Sequence, residues 1–138
     1  MLQAWLTRLD IAGKGLDEGI RAMVLKMRLP GEAQQIDRLI EKFAEEYYRQ
    51  NPGRFSHVDT VYVLSFSIIM LNTDLHNPFV TRKMSASAFI NNNRGIDQGK
   101  DMPPGMLQGI YSRIKAEPIR MDEDDMFESE VGTRIDRS

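Results

Sequence analysis

The sequence predicts an all-α fold, and two observations lead to that prediction. Apolar residues recur at helical spacing along successive segments, and no segment shows the sustained apolar–polar alternation that is typical of a half-buried strand. The links between the segments are short and contain Gly, Pro or Asn, as helix–helix connections do. With 138 residues, 41% hydrophobic and 28% charged, the chain has the composition of one globular domain.

The N-terminal half contains three predicted helices, each defined by an apolar stripe. The first stripe stops at Gly13 and consists of Leu2, Trp5, Leu6 and Leu9. Asp17 is predicted to cap the second helix, which Pro30-Gly31 closes. Its inward face is predicted to comprise Ile20, Val24 and Met27. The third helix is predicted over residues 33–50, with Asn51 starting the stop signal. Its face comprises Ile36, Leu39, Ile40, Phe43 and Tyr47.

Three more helices are predicted in the C-terminal half. The fourth spans residues 59–75 and starts at a favourable N-cap, Asp59 or Thr60. The fifth spans residues 85–93 and is capped by Ser85. The sixth spans residues 103–115, with Pro in its first turn. Its stripe comprises Leu107, Ile110, Tyr111 and Ile114.

Charge divides the chain into a body and a tail. Residues 117–138 carry eight acidic residues and three Arg, a net charge of −5, whereas the preceding residues carry +3. The mildly basic body does not indicate a nucleic-acid partner. Because residues 121–138 are acidic and show no periodicity, they are predicted to be a disordered tail, and residues 1–120 the folded domain.

Several chemistries are excluded by composition and spacing. The absence of Cys excludes disulfides, thiol catalysis and Cys-based zinc sites. His57 and His76 lack the partner spacing of a metal site. Residues 13–19 match no phosphate-binding loop, and residues 97–108 lack the Gly and Glu of a calcium loop. The first residues do not have the pattern expected of a signal peptide, and the longest apolar run, Val61–Leu71, is expected to be too short to span a bilayer.

The fourth predicted helix is unusually apolar. In residues 61–71, apolar side chains point in nearly every direction around the axis. Such a helix is either fully buried, or buried on one side and offered to a partner on the other. The sequence pattern leaves both interpretations open.

Two long segments resemble the signature motifs of the Sec7 domain, the exchange-factor domain for Arf-family small GTPases. Residues 28–38 (RLPGEAQQIDR) resemble the first motif, with Gln35 where Lys is usual. Residues 59–78 (DTVYVLSFSIIMLNTDLHNP) resemble the second. Further matches are Met84, residues 89–97 and residues 107–114. The resemblance covers about residues 13–120 and implies the catalytic part of a right-handed helical array, with the N-terminal helices of the family missing.

The resemblance implies how the chain acts. Glu32 would enter the nucleotide site of the GTPase, compete for Mg²⁺ and repel the β-phosphate, without covalent chemistry. By itself, an acid in the first turn of a helix is also favoured by about 0.3–1 kcal/mol through the helix dipole, so a structural role for Glu32 stays open. The implied docking groove is lined by Tyr62, Phe66, Ile69 and Met70. Asp59 and Asn77 would hold the remodelled GTPase backbone, and Arg28 would orient the Glu32 loop or contact the partner.

Further expectations follow from the same resemblance. The positions that govern sensitivity to the inhibitor brefeldin A correspond to Phe66, Ser67, Asp74 and Met84. No metal or cofactor of its own is expected, since Mg²⁺ and GDP or GTP belong to the GTPase. The expected location is cytoplasmic, peripheral at Golgi, endosomal or plasma membranes, with any membrane association indirect. Because the chain is expected to be a partial domain, self-association and a non-catalytic, GTPase-binding role are the alternatives.

Overall fold

A computed structural model describes residues 9–26 and 36–119 of the chain. Within these residues there are five helices and, as the sole β feature, an isolated bridge between Asp97 and Lys100, so the all-α prediction is confirmed. The helices are α1 (Leu16–Lys26), α2 (Ile36–Gln50), α3 (Val58–His76), α4 (Ala86–Asn92) and α5 (Pro104–Ala116). The first predicted helix, apart from Leu9, and the acidic tail lie outside the described residues.

Helix α3 is the centre of the array. It packs against α1, α2 and α5, while α4 packs against α5. Its buried side consists of Thr60, Val61, Leu64, Ser65, Ile68, Leu71 and Asn72. On the other side, Val63 is 46% exposed and Met70 is 66% exposed. Of the two interpretations of this apolar helix, full burial is therefore wrong for the described residues, and one side faces outward.

The length of α3 corrects one expectation. At 19 residues, α3 is the single helix in the described part of the chain that is long and apolar enough to cross a membrane by length and composition. The prediction that the segment is too short holds for Val61–Leu71 alone, because the helix continues through largely polar residues at both ends. Packing of one side against three other helices accounts for much of its apolar character.

Helix α2 buries four residues of the stripe that its periodicity predicts, and the side chain of the fifth, Ile36, lies outside the described part of the chain. Leu39, Ile40, Phe43 and Tyr47 have no exposed surface. The Tyr47 hydroxyl donates a hydrogen bond to the Lys14 carbonyl at 2.6 Å. Asn51 ends the helix as predicted, and its side chain also holds the preceding segment, since Nδ2 donates to the Ile11 carbonyl and Oδ1 accepts from Gly13 N–H.

The predicted cap of α1 is wrong. Asp17 is the second residue of the helix, and its side chain accepts two hydrogen bonds from Arg113 of α5, at 2.8 and 2.9 Å. The Gly15 N–H instead donates to the Glu18 carboxylate at 2.8 Å. The pairing with Arg113 draws the Asp17 carboxylate towards α5, so it does not bond the amides of its own first turn. The inward residues Ile20 and Val24 are buried as predicted, and Met27 lies outside the described residues.

Of the predicted starts of α3, α4 and α5, the first is wrong and the other two are confirmed. Helix α3 starts at Val58, and its N-cap is His57, whose Nδ1 accepts from Asp59 N–H at 2.9 Å, so neither Asp59 nor Thr60 is the cap. Ser85 caps α4 as predicted, with its hydroxyl accepting from Ala88 N–H. Helix α5 starts with Pro in the first turn as predicted. Its predicted stripe is buried and comprises Leu107, Ile110, Tyr111 and Ile114.

Candidate partner-binding site

The segment that contains α4, residues 84–97 (the α4 segment), contacts α3 at both of its ends and runs in the opposite direction. Near the start of α3, the Thr60 hydroxyl donates to the Ile96 carbonyl at 3.1 Å and to the Asp97 carboxylate at 3.0 Å. Near its end, the Asp74 carboxylate accepts from Met84 N–H at 2.6 Å. The chain thus enters α4 beside the end of α3 and leaves it beside the start. Both ends of the α4 segment are fixed to one side of α3.

Helical geometry then sorts the predicted site residues around α3. At about 100° per residue, positions seven apart lie nearly in line along a helix. Ser67 therefore lies in line with Thr60 and Asp74, on the side of α3 next to the α4 segment. Met70 lies in line with Val63, which points away from the core. We call the apolar residues on the side of α3 opposite its buried side the outward face: Tyr62, Val63, Phe66, Ile69 and Met70.

The outward face is an apolar surface with some internal order. The Tyr62 and Phe66 rings meet edge to face, with centroids 5.1 Å apart and an interplanar angle of 78°. Both rings and Ile69 are partly buried against the core, whereas Met70 and Val63 are largely exposed. The structure thus brings together all four predicted groove residues. Val63 was missed, although its position seven residues before Met70 could have identified it.

Polar residues lie at the two ends of the outward face. The Asp59 side chain is exposed in the first turn of α3, and its carboxylate is 3.6 Å from His57 Nδ1. Asn77 is the C-cap of α3, with its N–H donating to the Thr73 carbonyl at 2.9 Å. The predicted helix stop at Asn77 is confirmed. The partner contacts of Asp59 and Asn77 stay predictions.

Three of the four predicted inhibitor positions, Ser67, Asp74 and Met84, lie on the α4 side of α3. Asp74 and Met84 contact each other directly, and Ser67 lies in line with Asp74 along the helix. Phe66 is adjacent and belongs to the outward face. The Met84 carbonyl also accepts a hydrogen bond from the Tyr111 hydroxyl at 2.7 Å, so Met84 is held by α5 as well as by α3. Their contribution to inhibitor binding stays a prediction.

The two predicted residues of the first motif cannot be placed. Arg28 and Glu32 lie between the end of α1 at Lys26 and the start of α2 at Ile36, outside the described residues. Within the described ranges 9–26 and 36–119, no group of three or more His, Asp or Glu side chains could hold a metal ion.

Asp97 connects the start of α3 to the chain after α4. Its carboxylate accepts from Ser56 N–H at 2.9 Å, from the Ser56 hydroxyl at 3.0 Å and from the Thr60 hydroxyl at 3.0 Å. Burial raises the pKa of the Asp97 carboxyl, but the hydrogen bonds from Ser56 and Thr60 outweigh burial and hold the pKa below its ordinary value. In residues 97–108, which lack the pattern of a calcium loop, the Asp97 carboxylate therefore accepts hydrogen bonds from the protein itself.

Acid is expected to weaken this connection. Because the pKa of Asp97 is lowered by folding, its contribution is fully present above the unfolded value near 4 and is lost as the pH falls through the lowered folded value. Asp97→Asn should therefore cost about 1 kcal/mol of unfolding free energy at pH 7 and less at pH 3. Urea unfolding of both proteins at the two pH values measures the difference. An equal cost at both pH values would contradict the assignment.

The fold and the outward face together define a class: an all-α domain whose central helix is buried on one side and exposes apolar residues on the other. The sequence profile of the Sec7 domain family matches residues 1–119, and the chain belongs to that family.

Relatives and solved structures agree with this membership. The chain is 52% identical over 126 residues to "Brefeldin A-inhibited guanine nucleotide-exchange protein 2" of Arabidopsis thaliana, covering 91% of this chain and 7% of that protein. It is 45% identical over 121 residues to the ADP-ribosylation factor guanine nucleotide-exchange factor SEC7 of Saccharomyces cerevisiae, covering 88% and 6%. It is 44% identical, with a TM-score of 0.78, to the Sec7 domain in a structure of ARF1-GDP bound to a Sec7 domain complexed with brefeldin A, covering 89% of this chain and 63% of that one. The chain thus spans a small part of the length of the Arabidopsis and Saccharomyces proteins.

Proposed function

We propose that this chain promotes the release of GDP from an Arf-family small GTPase, which it binds on the outward face of α3. The observation that carries the proposal is the exposure of Met70 and Val63 on a helix whose opposite side forms the core. Exposed apolar surface of this kind commonly marks a protein contact. Relatives named as guanine nucleotide-exchange factors support the nucleotide chemistry, and the Sec7 domain solved with ARF1-GDP supports the identity of the partner.

The chemistry of the outward face suits a partner segment that changes shape. Met70 is unbranched and adapts to irregular surfaces, while the Tyr62 and Phe66 rings pack against each other and are more rigid. Asp59 and Asn77, at the two ends, can hydrogen-bond to exposed backbone of the partner. The surface thus combines apolar binding energy in its middle with polar recognition at its ends.

The exchange step is assigned to Glu32. A carboxylate brought close to Mg²⁺ and the β-phosphate of the partner competes for the metal and repels the phosphate. The chain would then stabilise the nucleotide-free GTPase over the nucleotide-bound form, which accelerates release without a covalent intermediate. The chain needs no cofactor of its own in this proposal, because the metal and the nucleotide both belong to the partner.

The setting of the reaction follows from the same proposal. Arf-dependent exchange would place the parent protein in the cytoplasm, at the surface of Golgi, endosomal or plasma membranes, in vesicle-mediated transport. Inhibition by brefeldin A would involve the corner formed by Phe66, Ser67, Asp74 and Met84, where the α4 segment meets the outward face.

Met70→Lys tests the docking surface. Because Met70 is 66% exposed, the variant should keep its melting temperature. A charge in an apolar contact should lower kcat/KM for GDP release about 10- to 100-fold, since a buried Met side chain contributes about 1.5–3 kcal/mol. The assay follows release of a fluorescent GDP analogue from an Arf that lacks its N-terminal helix.

Ala116→Lys is the matched control, since it places the same charge on an exposed residue at the end of α5. It should leave kcat/KM unchanged. Equal activity of Met70→Lys and the control would contradict docking on the outward face. A chain that binds the GTPase through this face and leaves the release rate unchanged would instead be a helical binding module.

A further inference from the structure

Phe79 is the large apolar residue with the greatest exposure in the described part of the chain. Its exposed fraction is 89%, compared with 66% for Met70 and 46% for Val63. A single exposed apolar side chain is common on protein surfaces and by itself indicates nothing. The position of Phe79 and the way its backbone is held distinguish it from an incidental exposed residue.

The turn that carries Phe79 is held by hydrogen bonds around Asn77. The Asn77 side-chain oxygen accepts from Phe79 N–H at 2.8 Å. The Asn77 carbonyl accepts from Val80 N–H at 3.0 Å and from Lys83 Nζ at 2.6 Å. The backbone on both sides of the ring is therefore fixed, while the ring itself extends into solvent. An anchor presented in this way loses little backbone entropy on binding.

The turn continues the outward face of α3. Asn77 follows Met70 by seven residues, so it lies nearly in line with Met70, about 10 Å further along the helix axis. Since the Asn77 side chain bonds the amide of Phe79, the backbone of Phe79 is held just beyond the C-terminal end of that line. Val63 and Met70 are exposed along that line, and Phe79 is exposed in the turn that follows it.

We propose that Phe79 is a docking anchor for the GTPase, which would extend the contact beyond the end of α3 into an apolar depression on the partner. The proposal rests on the proposed function, because the partner is the one that binds the outward face. In this scheme the exchange step is assigned to Glu32, and Phe79 contributes only to binding. It should therefore strengthen binding before and during exchange equally, which lowers KM and leaves kcat nearly unchanged.

The test compares Phe79→Ala, Phe79→Leu and Phe79→Asn in the lipid-free GDP-release assay, at several GTPase concentrations. Loss of a buried aromatic ring should raise KM about 10-fold or more in Phe79→Ala, and at least as much in Phe79→Asn. Phe79→Leu should raise KM about 3-fold or less, because it keeps most of the apolar volume. All three should retain the wild-type kcat and melting temperature, because the ring is exposed in the chain alone.

A fluorescent variant reports contact directly. The emission of Phe79→Trp, after subtraction of the parent chain with its single Trp, should shift to shorter wavelength when nucleotide-free GTPase is added, because the indole leaves water. Unchanged emission on formation of the complex would overturn the proposal.

The kinetic outcomes separate the proposal from its rivals. If the wild-type chain is active and the KM of Phe79→Ala is within 2-fold of the wild-type KM, Phe79 is not an anchor, and the proposed function is unaffected. A defect that appears only with anionic lipid vesicles would assign Phe79 to a membrane surface and overturn it. A wild-type dimer that Phe79→Ala converts to monomer would assign it to self-association, with the same result. A folded wild-type chain that neither binds the GTPase nor accelerates release would remove the proposed function, and the anchor with it.

Discussion

Replacing Glu32 by Lys is expected to reduce accelerated GDP release about 1,000-fold while binding of the GTPase persists. Two unit charges about 4 Å apart interact by about 4 kcal/mol at an effective dielectric near 20. About 4 kcal/mol of lost discrimination between the nucleotide-free and nucleotide-bound forms corresponds to about three orders of magnitude in rate. Lys not only removes the repulsion but offers a cation to the β-phosphate, so GDP should stay in the complex.

The matched variants are Glu32→Gln and Glu32→Asp. Gln keeps the shape but loses the charge, so it should release GDP slowly without holding it. Asp keeps the charge on a shorter side chain and should retain part of the activity. The measurements are single-turnover release rates and size-exclusion chromatography of the variant mixed with GDP-bound GTPase. Release by Glu32→Lys at the wild-type rate would assign exchange to another residue.

Replacing Arg113 by Met is expected to produce the largest loss of stability of the substitutions considered. Asp17 has no exposed surface, and its two hydrogen bonds both come from Arg113. Removing the partner of a buried charge costs about 3–5 kcal/mol. The Arg113 side chain is itself 48% exposed, so water can enter from its side and the expected cost is about 2–3 kcal/mol. Urea unfolding monitored by circular dichroism measures it.

Asp17→Asn and the double variant complete the cycle. Asp17→Asn leaves Arg113 half-exposed and hydrated, so it should cost about 1–2 kcal/mol, less than Arg113→Met. The double variant has no uncompensated charge and should be no less stable than Arg113→Met alone. Because neither residue belongs to the outward face, GDP release by folded Asp17→Asn should match the wild type. If Arg113→Met were no less stable than Asp17→Asn, the pair would not stabilise the fold as described.

The predictions that succeeded concern local signals. Ser85 capped α4 because its hydroxyl needs only the amide three residues later. The buried stripes of α2 and α5 followed from spacing alone, since a helix that packs on one side must place its apolar residues there. Asn51 was predicted as a stop, and its side chain ends α2 while also bonding residues about 40 positions away.

The predictions that failed or were missing depend on distant contacts. Asp17 has the sequence signature of an N-cap, but its partner is 96 residues away, and no local pattern could identify Arg113. The exposure of Phe79 likewise follows from how Asn77 and Lys83 hold the turn. The helical periodicity of α3 could have added Val63 to the docking surface. Glu32 and the brefeldin A positions came from family resemblance, because an acid in a turn has no distinguishing physical signature in the sequence.

The most direct test is the rate of GDP release from an Arf lacking its membrane-inserting N-terminal helix, with and without this chain. The account predicts saturable acceleration of about 1,000-fold by the wild-type chain, at substoichiometric amounts, and none by Glu32→Lys. A folded chain that forms a complex with the GTPase and leaves the release rate unchanged would contradict the account.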